Sequence, residues 1–116
     1  MPLPRATPER FATAWRRCHA IDEARDPAAV FAEVAAHYAE PVRHYHTLGH
    51  VDDCLARLDE VADRVDDPAA VEIAIWLHDV VCTPGRRDNE AQSARFYLAR
   101  SAGATPRLRR AVCRMI

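Results

Sequence analysis

Apolar residues recur along this chain at helical spacing. Prolines and glycines cut the recurrence into about six segments, none with the strict alternation of a strand. The first opens at Thr7-Pro8, a capping residue followed by proline at the first helical position, and carries Phe11, Ala14, Trp15 and Cys18 on one face. The second opens at Asp26-Pro27 in the same way, with Phe31, Val34, Ala35 and Tyr38 as its stripe, and Pro41 ends it. The third, from about Thr47 to Val65, has the clearest stripe: Leu48, Val51, Leu55, Leu58, Ala62 and Val65 recur at steps of three and four. The fourth opens at Asp67-Pro68 and is expected to run to about Val81, apolar around most of its circumference, which marks it as the central, buried helix. The run Thr83-Pro84-Gly85-Arg86-Arg87 reads as a loop. Asp88 or Asn89 then caps a fifth helix bearing Ala91, Ala94, Tyr97 and Leu98. Gly103 closes it, and Thr105-Pro106 opens a sixth with Leu108, Ala111, Val112 and Met115. The pattern predicts an all-α fold, a compact bundle of five to six helices in one domain spanning residues 1–116.

One dipeptide departs from this apolar pattern. His78-Asp79 sits in Ile73-Ala74-Ile75-Trp76-Leu77-His78-Asp79-Val80-Val81, where an unpaired buried carboxylate would cost several kcal/mol. A compensating charge is required. A bound divalent metal is one source, and an arginine is the rival. Upstream, His46 and His50 stand four apart, and both can reach one site if the third helix begins before Thr47. Imidazole and carboxylate donors suit Zn, Fe, Mn, Co or Ni without choosing among them.

Composition narrows the function classes. The chain has 116 residues, 49% of them apolar, and a formal charge of −1, so it carries no general electrostatic footprint for nucleic acid. No apolar run is long enough for a transmembrane helix, and the first residues lack the apolar core of a signal peptide. Cys18, Cys54, Cys82 and Cys113 show no C-x-x-C spacing. They are expected as reduced thiols in a cytoplasmic protein. All 16 basic residues are arginine. Three of them, Arg43, Arg86 and Arg87, are candidates for receiving phosphate oxygens, which guanidinium groups bind in bidentate fashion.

Three stretches together resemble the HD-domain superfamily of metal-dependent phosphohydrolases. They are Pro41-Val42-Arg43-His44-Tyr45-His46-Thr47-Leu48-Gly49-His50, Ala74-Ile75-Trp76-Leu77-His78-Asp79-Val80-Val81, and Asp88-Asn89-Glu90-Ala91-Gln92-Ser93-Ala94. The resemblance covers roughly Phe11 to the end, with Cys82 in place of the tyrosine expected after the HDVV run. It implies an all-helical fold whose divalent metal (Mn, Fe, Co, Ni, Zn or Mg) is held by a first histidine, the His78-Asp79 pair and a more distal aspartate. The first histidine is His50 or His46. His50, just before the apolar stripe, is preferred, with His46 as a second-site or substrate contact. Asp79 and Glu90 are the catalytic candidates, Glu90 orienting the attacking water. The implied substrate is a small phosphorylated molecule, a phosphomonoester or nucleotide.

Two further expectations follow from the chain's end. The tail from Arg107 to Ile116 has no acidic group, so the distal aspartate would lie beyond Ile116, and the sixth helix stops while its stripe still runs. The domain is therefore expected to lack its closing helices and to expose Leu108, Val112, Met115 and Ile116 as an apolar patch through which it self-associates. The competing function is a truncated, non-catalytic helical module that binds metal weakly and pairs with itself.

Overall fold

The described residues form six α-helices: α1 Pro8–Cys18, α2 Pro27–Tyr38, α3 Leu48–Val61, α4 Pro68–Leu77, α5 Asn89–Arg100 and α6 Pro106–Met115. The computed structural model describes residues 3–19 and 25–116, and no strand occurs among them. Among the described residues, no helix is long and apolar enough to cross a membrane. Four helices start with one device. The side chains of Thr7, Asp26, Asp67 and Thr105 accept from backbone N–H groups in the first turn, each at 3.2 Å, and a proline follows each cap. The cap satisfies an N–H that the helix leaves open, and the proline lacks the N–H that would otherwise add to the deficit.

Helix α4 lies at the centre, packed against α1, α3, α5 and α6, while α2 lies on α1. Its Ile73, Trp76 and Leu77 are fully buried. Trp76 meets Phe11 edge-on at 5.4 Å between ring centroids and Phe31 at 5.9 Å, and Phe11 stacks on Trp15 at 5.6 Å. Such offset and edge-to-face pairs add to the area they bury. His19, just past α1, is also buried. Its Nδ1 lies 2.8 Å from the Trp15 carbonyl and its Nε2 3.1 Å from the Tyr97 hydroxyl. Burial pushes its imidazole pKa below the ordinary value. On the surface, Arg10 bridges Asp59 of α3 (2.8 Å) and Glu72 of α4 (3.0 Å).

The elements depart from the sequence expectations in four places. Helix α3 gives way at Val61 to a single 3-10 turn, Ala62–Arg64, before Val65. Helix α4 ends at Leu77 instead of continuing to Val81, because side chains take the carbonyls that further helical turns would need (below). On α5, Tyr97 and Leu98 of the expected stripe pack into the core, but Ser93 and Phe96 join them and Ala91 is exposed. On α6, Val112 is fully buried, Leu108 and Ile116 pack against the core, and of the expected patch only Met115 is exposed. The four cysteines are free and half-buried.

Candidate metal centre

The site forms where the entrance of α3 meets the exit of α4. His46 lies in the loop before α3, which begins at Leu48 after the Thr47 cap, so His46 and His50 do not share a helical face. His50 stands in the first turn of α3. His78 is the residue that ends α4, and Asp79 follows it in a turn. Asp79 is half-buried, 23% exposed in its side chain, and not sunk in a helix interior as the apolar run suggested.

Backbone accounting explains why the chain leaves α4 here. The last carbonyls of a helix have no partner within it. At this end the His78 ring donates from Nδ1 to the Ile75 carbonyl (2.6 Å), and the Tyr38 hydroxyl donates to the Trp76 carbonyl (2.8 Å). The Val80 N–H closes a tight turn on the Leu77 carbonyl (3.1 Å). Arg43 donates from Nη1 to the Asp79 carbonyl (2.7 Å) and from Nη2 to the Val80 carbonyl (2.8 Å). Ser93, fully buried on α5, receives the Val81 N–H (3.0 Å) and returns its hydroxyl hydrogen to the Val81 carbonyl (3.2 Å). The next loop is held by Asn89, which bonds both the N–H and the carbonyl of Thr83 at 3.0 Å.

These anchors bring His50, His78 and Asp79 together, with one donor atom from each lying within 4.8 Å of the others. Nε2 of His78 is 3.3 Å from Nε2 of His50 and 3.1 Å from Oδ2 of Asp79. A carboxylate only accepts, so His46 donates from Nδ1 to Asp79 Oδ2 across 2.8 Å. His46 thus supports Asp79, while His50 stands in the donor cluster. Because His78 places its Nδ1 hydrogen on a carbonyl, the neutral ring turns the Nε2 lone pair toward His50 and the carboxylate. That lone pair then faces the Asp79 carboxylate at 3.1 Å, an arrangement that a cation between them, a proton or a metal, relieves. Around an ion held at about 2.0–2.1 Å, neighbouring donors lie roughly 3 Å apart, close to the 3.3 Å and 3.1 Å from His78 Nε2 to its two partners. Electrostatics agrees. The hydrogen bond to His78 holds the Asp79 carboxyl well below the usual range, burial opposes this, and His46 adds to it. The bond to Asp79 raises the His78 imidazole against its own burial.

The remaining candidates lie around this centre. Arg43 does not present its guanidinium to a ligand. Its side chain is 1% exposed, and besides the carbonyls of Asp79 and Val80 it reaches Glu40 (2.9 Å) and the His46 carbonyl (3.2 Å). Arg86 is on the surface in a two-point pair with Asp88, at 2.9 and 2.8 Å, and Arg87 is exposed beside it. Glu90 is exposed in the first turn of α5, one turn before Ser93, and does not belong to the converging donors. Sequence reasoning missed the anchors Tyr38, Asn89 and Ser93. It also missed Cys54, whose Sγ lies 3.7 Å from His50 Nε2 one turn along α3. The four-residue step from His50 to Cys54 was the available signal. Comparison with protein-family models, curated proteins and solved structures finds no match to this chain.

Proposed function

We propose that this chain binds a divalent metal ion through His50 Nε2, His78 Nε2 and the Asp79 carboxylate, and hydrolyses a phosphomonoester or nucleotide there. The convergence of the His78 Nε2 lone pair with His50 at 3.3 Å and Asp79 at 3.1 Å carries this reading. The order of the three motifs, which resembles the HD-domain phosphohydrolases, supplies the reaction class. When bound, such an ion lowers the pKa of a coordinated water and polarises a phosphoryl oxygen. Three protein donors leave coordination positions for water and substrate, as catalytic sites require.

The chain's own groups have separable roles. His46 keeps Asp79 oriented and ionised. The Ile75 carbonyl fixes the His78 tautomer, so that Nε2 faces the centre. Arg87, exposed in the loop after the His78-Asp79 turn, is the arginine open to a phosphate, whereas Arg86 would first have to leave Asp88. Glu90, on the helix anchored to that turn through Ser93, is the group assigned to orient water.

The test is direct. Purified protein is analysed for metal by mass spectrometry, then assayed on p-nitrophenyl phosphate and a nucleotide panel after loading with Mn, Fe, Co, Ni, Zn or Mg. Bound metal and hydrolysis that both vanish in His78→Ala support the proposal. Failure to hold any of these ions, or hydrolysis unaffected by the alanine, overturns it.

A further inference from the structure

Among the described residues, Arg43 is the arginine whose side chain is buried to 1% exposure while its bonds run to backbone on two separate segments. A buried cation that is not paired is strongly unfavourable, so each contact has a function to explain. Glu40, at 2.9 Å from Nε, supplies the countercharge, and the Tyr38 ring lies beneath the guanidinium at 5.1 Å. The other face of the group does something different. Nη1 joins the carbonyl of His46, at the entrance of α3, to that of Asp79, at the exit of α4, and Nη2 extends the grip to Val80.

We propose that Arg43 is the positioning residue of the metal centre: its planar guanidinium sets the distance between the segment that supplies His46 and His50 and the segment that supplies His78 and Asp79. This role rests on the metal centre proposed above. A rigid fork suits the task, because its donors diverge in fixed directions in one plane. The compact ammonium of lysine cannot span the same carbonyls. The donors it governs come from different helices, so a small drift at this corner separates Nε2 of His50 from Nε2 of His78, now 3.3 Å apart. Glu40 also keeps the arginine from repelling the incoming cation.

Cobalt(II) titration of the full chain, followed by its visible absorption, tests this. The proteins compared are wild type, Arg43→Lys, Arg43→Met and the surface control Arg10→Met, with folding checked by circular dichroism. Both Arg43 variants should bind about 10–100-fold more weakly, the usual range for partners that orient metal ligands, with shifted absorption bands. Arg10→Met should match wild type. A purely structural arginine would lower the melting temperature and leave the bands and affinity of the folded protein unchanged. That result in either Arg43 variant overturns the proposal. Should neither fold, Glu40→Ala decides, since it loosens the guanidinium from a more exposed position: weaker cobalt binding supports the role, and unchanged binding overturns it. A wild-type chain that takes up no cobalt(II) overturns the metal centre itself, an outcome distinct from metal binding that ignores position 43.

Discussion

Two histidines on either side of the core show what separates a structural imidazole from a chemical one. His19 sits among Trp15 and Tyr97 with both ring nitrogens in hydrogen bonds, one to a carbonyl and one to a hydroxyl. Neither bond needs a charge, and burial drives the ring toward its neutral form. His78 is partly exposed and has one nitrogen satisfied by a carbonyl. Its other nitrogen faces a second imidazole and a carboxylate. That environment favours a cation, and its pKa moves up instead of down. Burial alone would have pointed to His19 and not to the proposed metal ligand. The nitrogen left facing other donors marks the candidate site.

The largest effect should come from breaking the chemical half of this contrast. His78→Ala removes the donor common to both short contacts and should abolish metal uptake, read by equilibrium dialysis with elemental analysis. It leaves the apolar core of α4 in place, so the variant should still fold. His19→Ala should do the reverse. It opens a cavity and strips the Tyr97 hydroxyl of a partner, costing on the order of 2–4 kcal/mol in urea unfolding, with metal affinity intact. If the alanine at 19 also abolishes metal uptake, the two sites are not independent and the contrast fails.

How far this contrast was legible in the sequence depends on how local each cause is. The starts of α1, α2, α4 and α6 were legible because a cap and a following proline act within one turn. The central place of α4 was legible because its apolar residues wrap the helix. The exit of α4 was not, since Val80 and Val81 continue the apolar run while Tyr38 and Arg43, distant in sequence, take its carbonyls. The face of α5 was read only in part, with Tyr97 and Leu98 found and Ser93 missed, for a related reason. Ser93 counts as polar, yet it faces the core because Val81 offers it both a donor and an acceptor. At the site, His78-Asp79 stood out against its surroundings. The contacts of Arg43 did not, because sequence shows a charge and hides its burial. His19 gave no signal, as its hydroxyl partner Tyr97 is 78 residues away.

A smaller effect sharpens the chemical half. His46→Ala leaves the three donors of the centre and removes the bond that orients Asp79, so metal affinity should fall by about 10–100-fold without vanishing. Isothermal titration with zinc or manganese distinguishes this from the complete loss expected at position 78. Equal losses at both positions would make His46 a ligand.

The smallest effect is the pH dependence of the metal-free protein, and its signs differ between the two histidines. The folded-state pKa of His19 is lowered below 6.5, so the unfolded chain binds a proton there first. Its contribution to stability is present above the unfolded pKa and is lost as pH falls below it. The pKa of His78 is raised, so its contribution is complete below the unfolded value and disappears as pH climbs through the folded one. The partial exposure of His78 keeps that term small, because solvent screens its pairing with Asp79. Urea denaturation between pH 5 and pH 8, about the span over which an imidazole changes charge, separates the two. His19→Gln, which cannot titrate, should flatten the acid side of the stability profile, and His78→Ala the neutral-to-alkaline side. Added metal should reverse the second trend. Protons and the ion compete for the same Nε2, so a bound ion stabilises the fold increasingly as pH rises through the His78 pKa. A metal-loaded profile that still declines with rising pH there would mean that only a proton, and no metal, holds His50, His78 and Asp79 together.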